Sequence, residues 1–122
     1  MEYELKMSDS RDYAILDVRS DLTFHLSVKI ADEIIRLGEN AKVNKLLYDL
    51  SKVKNLEQVK PNFEIAFRKM PDPGNFKFKK TAFLVNVRDN SHEYFIGFLH
   101  ARGFNLREFY DEKEAVNWLK KD

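Results

Sequence analysis

Two short apolar/polar segments, "YELKM" (Tyr3–Met7) and "YAILDV" (Tyr13–Val18), open the chain on either side of the polar "SDSRD". Aromatic and branched residues bounded by turn formers predict two strands, close enough to pair antiparallel. The periodicity then changes. Leu22, Leu26, Ile30, Ile34 and Leu37 recur at helical spacing, with Phe24, Val28, Ala31 and Ile35 beside them. This broad apolar face predicts a well-buried helix, capped by Ser20 or Asp21 and stopped at Gly38. Its opposite stripe, His25, Lys29, Asp32 and Arg36, is expected to face water.

"KLLYDL" (Lys45–Leu50) predicts a third strand. Pro61 suits the first turn of a helix running to about Met70, with Phe63, Ala66, Phe67 and Met70 on one face. "PDPGN" (Pro71–Asn75) ends it in the longest loop. "TAFLVNV" (Thr81–Val87) is almost continuously apolar, as in a central strand covered on both faces. Asn90 with Glu93, and Asp111 with Glu114, have the spacing of capping boxes ahead of two more helices. "NLREFY" (Asn105–Tyr110) lies between those helices as a fifth strand.

The order β-β-α-β-α-β-α-β-α predicts a single α/β domain over residues 1–122: a mixed five-stranded sheet with four helices, strands three to five parallel. A chain of 122 residues can bury a sizeable core, and it has no cysteine, which excludes disulfides, thiolate metal sites and cysteine nucleophiles. Nothing reads as a leader or a membrane span, so a soluble, cytoplasmic protein is expected.

The net charge of +1 hides a basic centre. Residues 41–80 hold ten Lys/Arg against four Asp/Glu, whereas residues 1–40 hold five against nine. A basic middle favours an anionic partner, although solubilising surface lysines explain it equally well. Nucleic acid is disfavoured, because the overall charge is nearly balanced and helices are expected to cover the sheet.

"VRSDLT" (Val18–Thr23) resembles the strand-to-helix entry of STAS domains, and "LLYDLSKV" (Leu46–Val53) resembles their central strand. The most specific likeness is "ARGFNLREFYDEKEAVNWL" (Ala101–Leu119). Its Arg-Gly turn, aromatic-ended strand, acidic cap and Ala-x-x-Trp-Leu helix resemble the bacterial SpoIIAA-like branch. The resemblance implies a STAS-like (SpoIIAA-like) fold related to CRAL-TRIO domains, with no enzyme activity. It implies either a switchable protein partner or a carrier of hydrophobic ligands that touches membranes.

In the phospho-switched antagonists an Asp-Ser-Ser-Gly segment follows the central strand. A serine there sits at a helix N-terminus, which favours an incoming phosphate. The matching segment here, "NLEQVKPN" (Asn55–Asn62), carries no hydroxyl, and Ser51 is expected to cap a turn instead. The serine switch is therefore expected to be missing, which leaves Asp49, Ser51, Asn55 and Gln58 as candidates for a switchless protein contact. Asp17 could lie near Asp49 on an adjacent strand, but two carboxylates alone specify no chemistry, and no catalytic residue is assigned. His25, His92 and His100 lack metal-site spacing, and no metal or cofactor is expected.

The segment Pro61–Phe83 interleaves aromatics with cations. Phe63, Phe67, Met70, Phe76, Lys77, Phe78 and Lys79 are the candidates for contact with a hydrophobic or amphipathic ligand, or with an anionic membrane surface. Phe63 and Phe67 could equally pack on the sheet, whereas Phe76 and Phe78, in a Gly/Pro-flanked loop, are expected to be exposed. The leading expectation is a non-enzymatic binding domain for such a ligand. A regulatory protein-interaction module is the alternative, and homo-oligomerisation stays open.

Overall fold

The structure is a computed structural model and describes residues 1–121. Strands β1 (Tyr3–Met7), β2 (Ala14–Val18), β3 (Lys45–Asp49), β4 (Lys80–Leu84) and β5 (Leu106–Phe109) form one sheet in sequential order. β1 pairs antiparallel with β2, in register Leu5 opposite Leu16, and every later neighbour pair is parallel. Because the order advances in one direction, crossovers of one hand place their helices on one face. These are α1 (Phe24–Asn40), α2 (Val59–Glu64) with its π-helical continuation Ile65–Lys69, and α3 (Glu93–Ala101). The last helix, α4 (Glu112–Lys120), lies on the other face over β3–β5.

Strand alternation divides the core accordingly. Leu16, Val18, Leu46, Tyr48 and Phe83 point to the three-helix side, and Leu47, Ala82, Leu84 and Phe109 point to α4. α4 is pinned from the sheet: the Lys80 ammonium donates to the carbonyls of Trp118 (2.7 Å) and Lys121 (2.8 Å). Its cation also lies 4.6 Å from the Trp118 ring centroid.

Several local expectations are corrected. Thr23, not Ser20 or Asp21, caps α1 by accepting from the Leu26 amide at 3.2 Å. Asp21 is engaged elsewhere, accepting from the Lys54 amide at 2.9 Å, and Leu22 pairs with Asn55 in a parallel bridge beyond the strand ends. The helix entry is thereby displaced. Gly38 does not stop α1, which continues to Asn40. Its missing side chain instead allows close approach, since a Cβ there would sit 3.1 Å from Lys77 Cβ. Neither capping box forms: Asn90 and Asp111 make no side-chain bond to their helices, and His92 occupies the cap position of α3. Phe24 is exposed, unlike the rest of the α1 apolar face.

Candidate functional site

Tyr48 sits near the end of the central strand, facing the three-helix layer, with its ring stacked on Phe83 at 5.0 Å. Above it lie small or slender α1 side chains, Ser27, Ala31 and Ile34, while Phe95 and Leu99 approach from α3. The layers do not close completely. A cavity of about 30 Å³ remains between sheet and helices, bounded at one end by Met70, Phe76 and Phe104. Native cores are close-packed, so space of this kind in the middle of one is notable. Burial pushes the Tyr48 phenol well above its ordinary pKa, with no charge or side-chain hydrogen bond beside it to offset the desolvation.

The segment leading into Met70 is unusual in its backbone. The predicted α-helix to Met70 becomes π-helical at Ile65, with the Met70 amide donating to the Ile65 carbonyl at 3.0 Å. The wider turn exposes carbonyls, and Arg102 at the end of α3 collects them. Its guanidinium donates to the carbonyls of Ala66 (2.9 Å), Met70 (3.1 Å) and Pro71 (3.3 Å) and to the Asp72 carboxylate (3.1 Å). Arg102 therefore fastens the segment that carries Met70, whose side chain lines the cavity. π-Helical turns occur frequently at functional sites.

The same turn changes which side chains face inward. Asn62 is buried and bonded to Asn55 (2.9 Å) and to the Gln58 carbonyl (2.7 Å). Ile65 and Ala66 fill the core, leaving Phe63 and Phe67 39% and 37% exposed. These two rings stack at 4.4 Å and meet Phe98 edge-on at 5.5 and 5.9 Å. Exposed Tyr94 stacks on Phe98 at 6.5 Å, and exposed Leu56 and Val59 and the exposed cations Lys60, Arg68 and Lys69 lie in the same stretch of chain as the two rings.

Phe76 and Phe78 reverse their expected exposure. They are 6% and 3% exposed and belong to the core. Pro73–Asn75 forms a short 3-10 turn that bends the chain back, Gly38 makes room for it, and Phe76 packs against Phe78 and Phe104 at 5.8 and 5.5 Å. Met70 and Phe76 therefore line the cavity, Phe63 and Phe67 lie outside it, and Phe78 packs beside it. Lys77 and Lys79 point to solvent, with the Lys79 ammonium donating to the Gly74 carbonyl at 3.2 Å.

The other candidate residues cluster at the strand ends. Asp17 and Asp49 are opposite one another, and the Lys52 ammonium bridges them at 2.6 and 3.0 Å. Arg19 adds bonds to Asp17 (3.2 Å) and Glu4 (2.9 Å). Burial opposes ionisation of Asp17, but Lys52 and Arg19 outweigh it and hold its pKa below the ordinary value. Lys52 is raised in turn: burial lowers it, and the two carboxylates more than compensate. Ser51 donates both its amide (2.9 Å) and its hydroxyl (2.6 Å) to Asp49, forming the expected turn. Asn55 is buried in its contact with Asn62, so of the four candidate partner residues only Gln58 is well exposed.

Tyr48, Phe98, Phe104 and Arg102 were not among the site candidates read from the sequence. Tyr48 carried the one legible signal, a polar-tipped aromatic within an apolar central strand.

No protein-family model and no curated protein matches this chain. Among solved structures it is similar to an uncharacterised protein of the DUF3478 family with a SpoIIAA-like fold from Shewanella loihica PV-4. The identity is 12%, covering 96% of this chain and 91% of that one, with a TM-score of 0.57. At that identity the likeness is one of fold. The chain has the SpoIIAA-like fold that its sequence resembles.

Proposed function

We propose that the domain is a non-enzymatic binding module that holds an apolar or amphipathic molecule between its sheet and its three-helix layer. The observation that carries this reading is the apolar cavity, bounded by Met70 at the end of the π-helical turn. As it stands, the cavity has room for about two waters, so anything larger must displace Met70 and Phe76 at its end. Access then depends on the segment that Arg102 fastens. Native mass spectrometry of freshly purified protein, followed by denaturing extraction, tests the reading. A co-purified apolar molecule supports it. An apo mass together with no uptake from a panel of apolar compounds counts against it.

The exposed rings of Phe63, Phe67 and Tyr94 beside Lys60, Arg68 and Lys69 favour contact with an anionic membrane surface during exchange. No helix among the described residues is long and apolar enough to cross a membrane, so such contact would be peripheral. Flotation with phosphatidylglycerol vesicles should be lost in Phe63→Ser/Phe67→Ser and retained in the fold. A double variant that floats as the parent does removes the membrane role. The second reading, a regulatory protein contact, finds support in the same surface, because exposed Leu56 and Val59 flank Gln58. Recovery of a stoichiometric protein partner without lipid would favour it.

A further inference from the structure

The cavity lining is more selective than its apolar character suggests. It includes no Asp, Glu, Lys, Arg or His among the described residues. A carboxylate or ammonium placed there would lose its hydration with no counter-charge to replace it, which forces the group neutral or keeps it out. Three residues on the lining do carry hydroxyls: Ser27, Thr81 and Tyr48. Of these, Tyr48 is on the central strand, and its ring is fixed against Phe83. Its hydroxyl has no neighbouring charge or side-chain hydrogen bond acting on it, and it lines the cavity, so a group placed there can pair with it at little cost.

We propose that the cavity receives a small uncharged molecule bearing one hydrogen-bonding oxygen, such as a ketone or an alcohol, and that Tyr48 anchors that oxygen. The inference rests on the binding reading above and narrows its ligand class. Ordinary fatty carboxylates are excluded as occupants in their ionised form. Because burial raises its pKa, the Tyr48 phenol stays protonated across the neutral range and serves as a donor to a ligand carbonyl. Ser27 and Thr81 offer acceptors for a ligand hydroxyl. Once Met70 and Phe76 move aside, apolar contact with Leu46, Phe83 and Leu99 holds the remainder of the molecule.

The test titrates the full chain with cyclohexanone, hexanoate and benzene, read by backbone amide shifts at mildly alkaline pH. Cyclohexanone should move the amides around Leu46–Tyr48 and Leu99–Phe104, and hexanoate should bind at least about a hundredfold more weakly. In Tyr48→Phe, cyclohexanone affinity should fall about five- to tenfold while benzene affinity is unchanged. Hexanoate binding as tightly as cyclohexanone overturns the charge exclusion, and this comparison needs no variant. Cyclohexanone affinity unchanged in a folded Tyr48→Phe overturns the anchor but leaves apolar binding intact. If none of the three compounds moves the cavity amides, the binding reading fails and the anchor fails with it.

Discussion

Replacing Phe76 with alanine should destabilise the protein far more than replacing Phe63, although both belong to one aromatic-rich segment. Phe76 is almost fully buried, edge-on to Phe78 and Phe104. Truncating such a ring removes its transfer free energy and leaves space that the sheet cannot collapse to fill, at a cost of about 3–5 kcal/mol. Phe63 keeps more than a third of its surface in water and packs mainly on Phe67 and Phe98. Losing its partial burial and stacking should cost about 1–2 kcal/mol. Against the roughly 6–18 kcal/mol expected for a domain of this length, the first loss is a large fraction and the second is small. Urea unfolding can be followed by far-UV circular dichroism and by Trp118 fluorescence. Trp118 lies on the opposite face of the sheet from both substitutions, so coincident transitions would show that the whole domain is reporting. With a urea slope of about 2 kcal/mol/M, the midpoint should fall by about 1.5–2.5 M for Phe76→Ala and by about 0.5–1 M for Phe63→Ala. Equal shifts, or a larger one for Phe63→Ala, would refute the assignment of core and surface rings.

Arg102→Met should cost about 2–4 kcal/mol, because four charge-assisted contacts are lost and the carbonyls of Ala66, Met70 and Pro71 lose their partner. Amide exchange should accelerate most across Ile65–Met70, and uniform acceleration over the whole chain would contradict a local latch. Asp17 has a lowered pKa, so its contribution is complete above the ordinary carboxylate value and is lost as pH falls through the lowered one; Lys52→Met should flatten that acid-side loss in a stability–pH profile. Tyr3 is pushed up to about 12, by burial first and then by its bond to Glu33, and Tyr48 and Tyr13 are raised as well. Their contributions are complete below the unfolded tyrosine value and are lost as pH rises through the folded ones, so stability should decline above about pH 10. Tyr48→Phe should soften that decline, and an unchanged alkaline profile would show that the buried phenol does not contribute.

The strand-end residues show how a sequence can be read correctly for one relation and give no hint of another. Parallel pairing of β2 with β3 places Asp17 opposite Asp49, and the Asp49-Ser51 spacing makes a local turn, so both features were legible. That Lys52 would bridge the two carboxylates depends on where a long, flexible side chain settles relative to Asp17, 35 residues before it. The capping boxes failed for the opposite reason. Asn90 and Asp111 have the right spacing, but neither side chain turns to its helix, and α3 begins instead beneath His92, whose Nε2 donates to the Val53 carbonyl at 2.9 Å.

By itself the sequence determined the element order, the parallel sheet and the buried stripe of α1, because each follows from periodicity, turn residues and the handedness of crossovers. Only the tertiary structure decided which aromatics are core. Ideal 3.6-residue periodicity put Phe63, Ala66, Phe67 and Met70 on one inward face. In a helix that turns π-helical at Ile65 and is fastened by an arginine far away in sequence the two phenylalanines face outward, while a proline-directed bend opposite Gly38 carries Phe76 and Phe78 in. The cavity beside Tyr48 is likewise a property of how layers from distant segments fail to close, and no local pattern encodes a space.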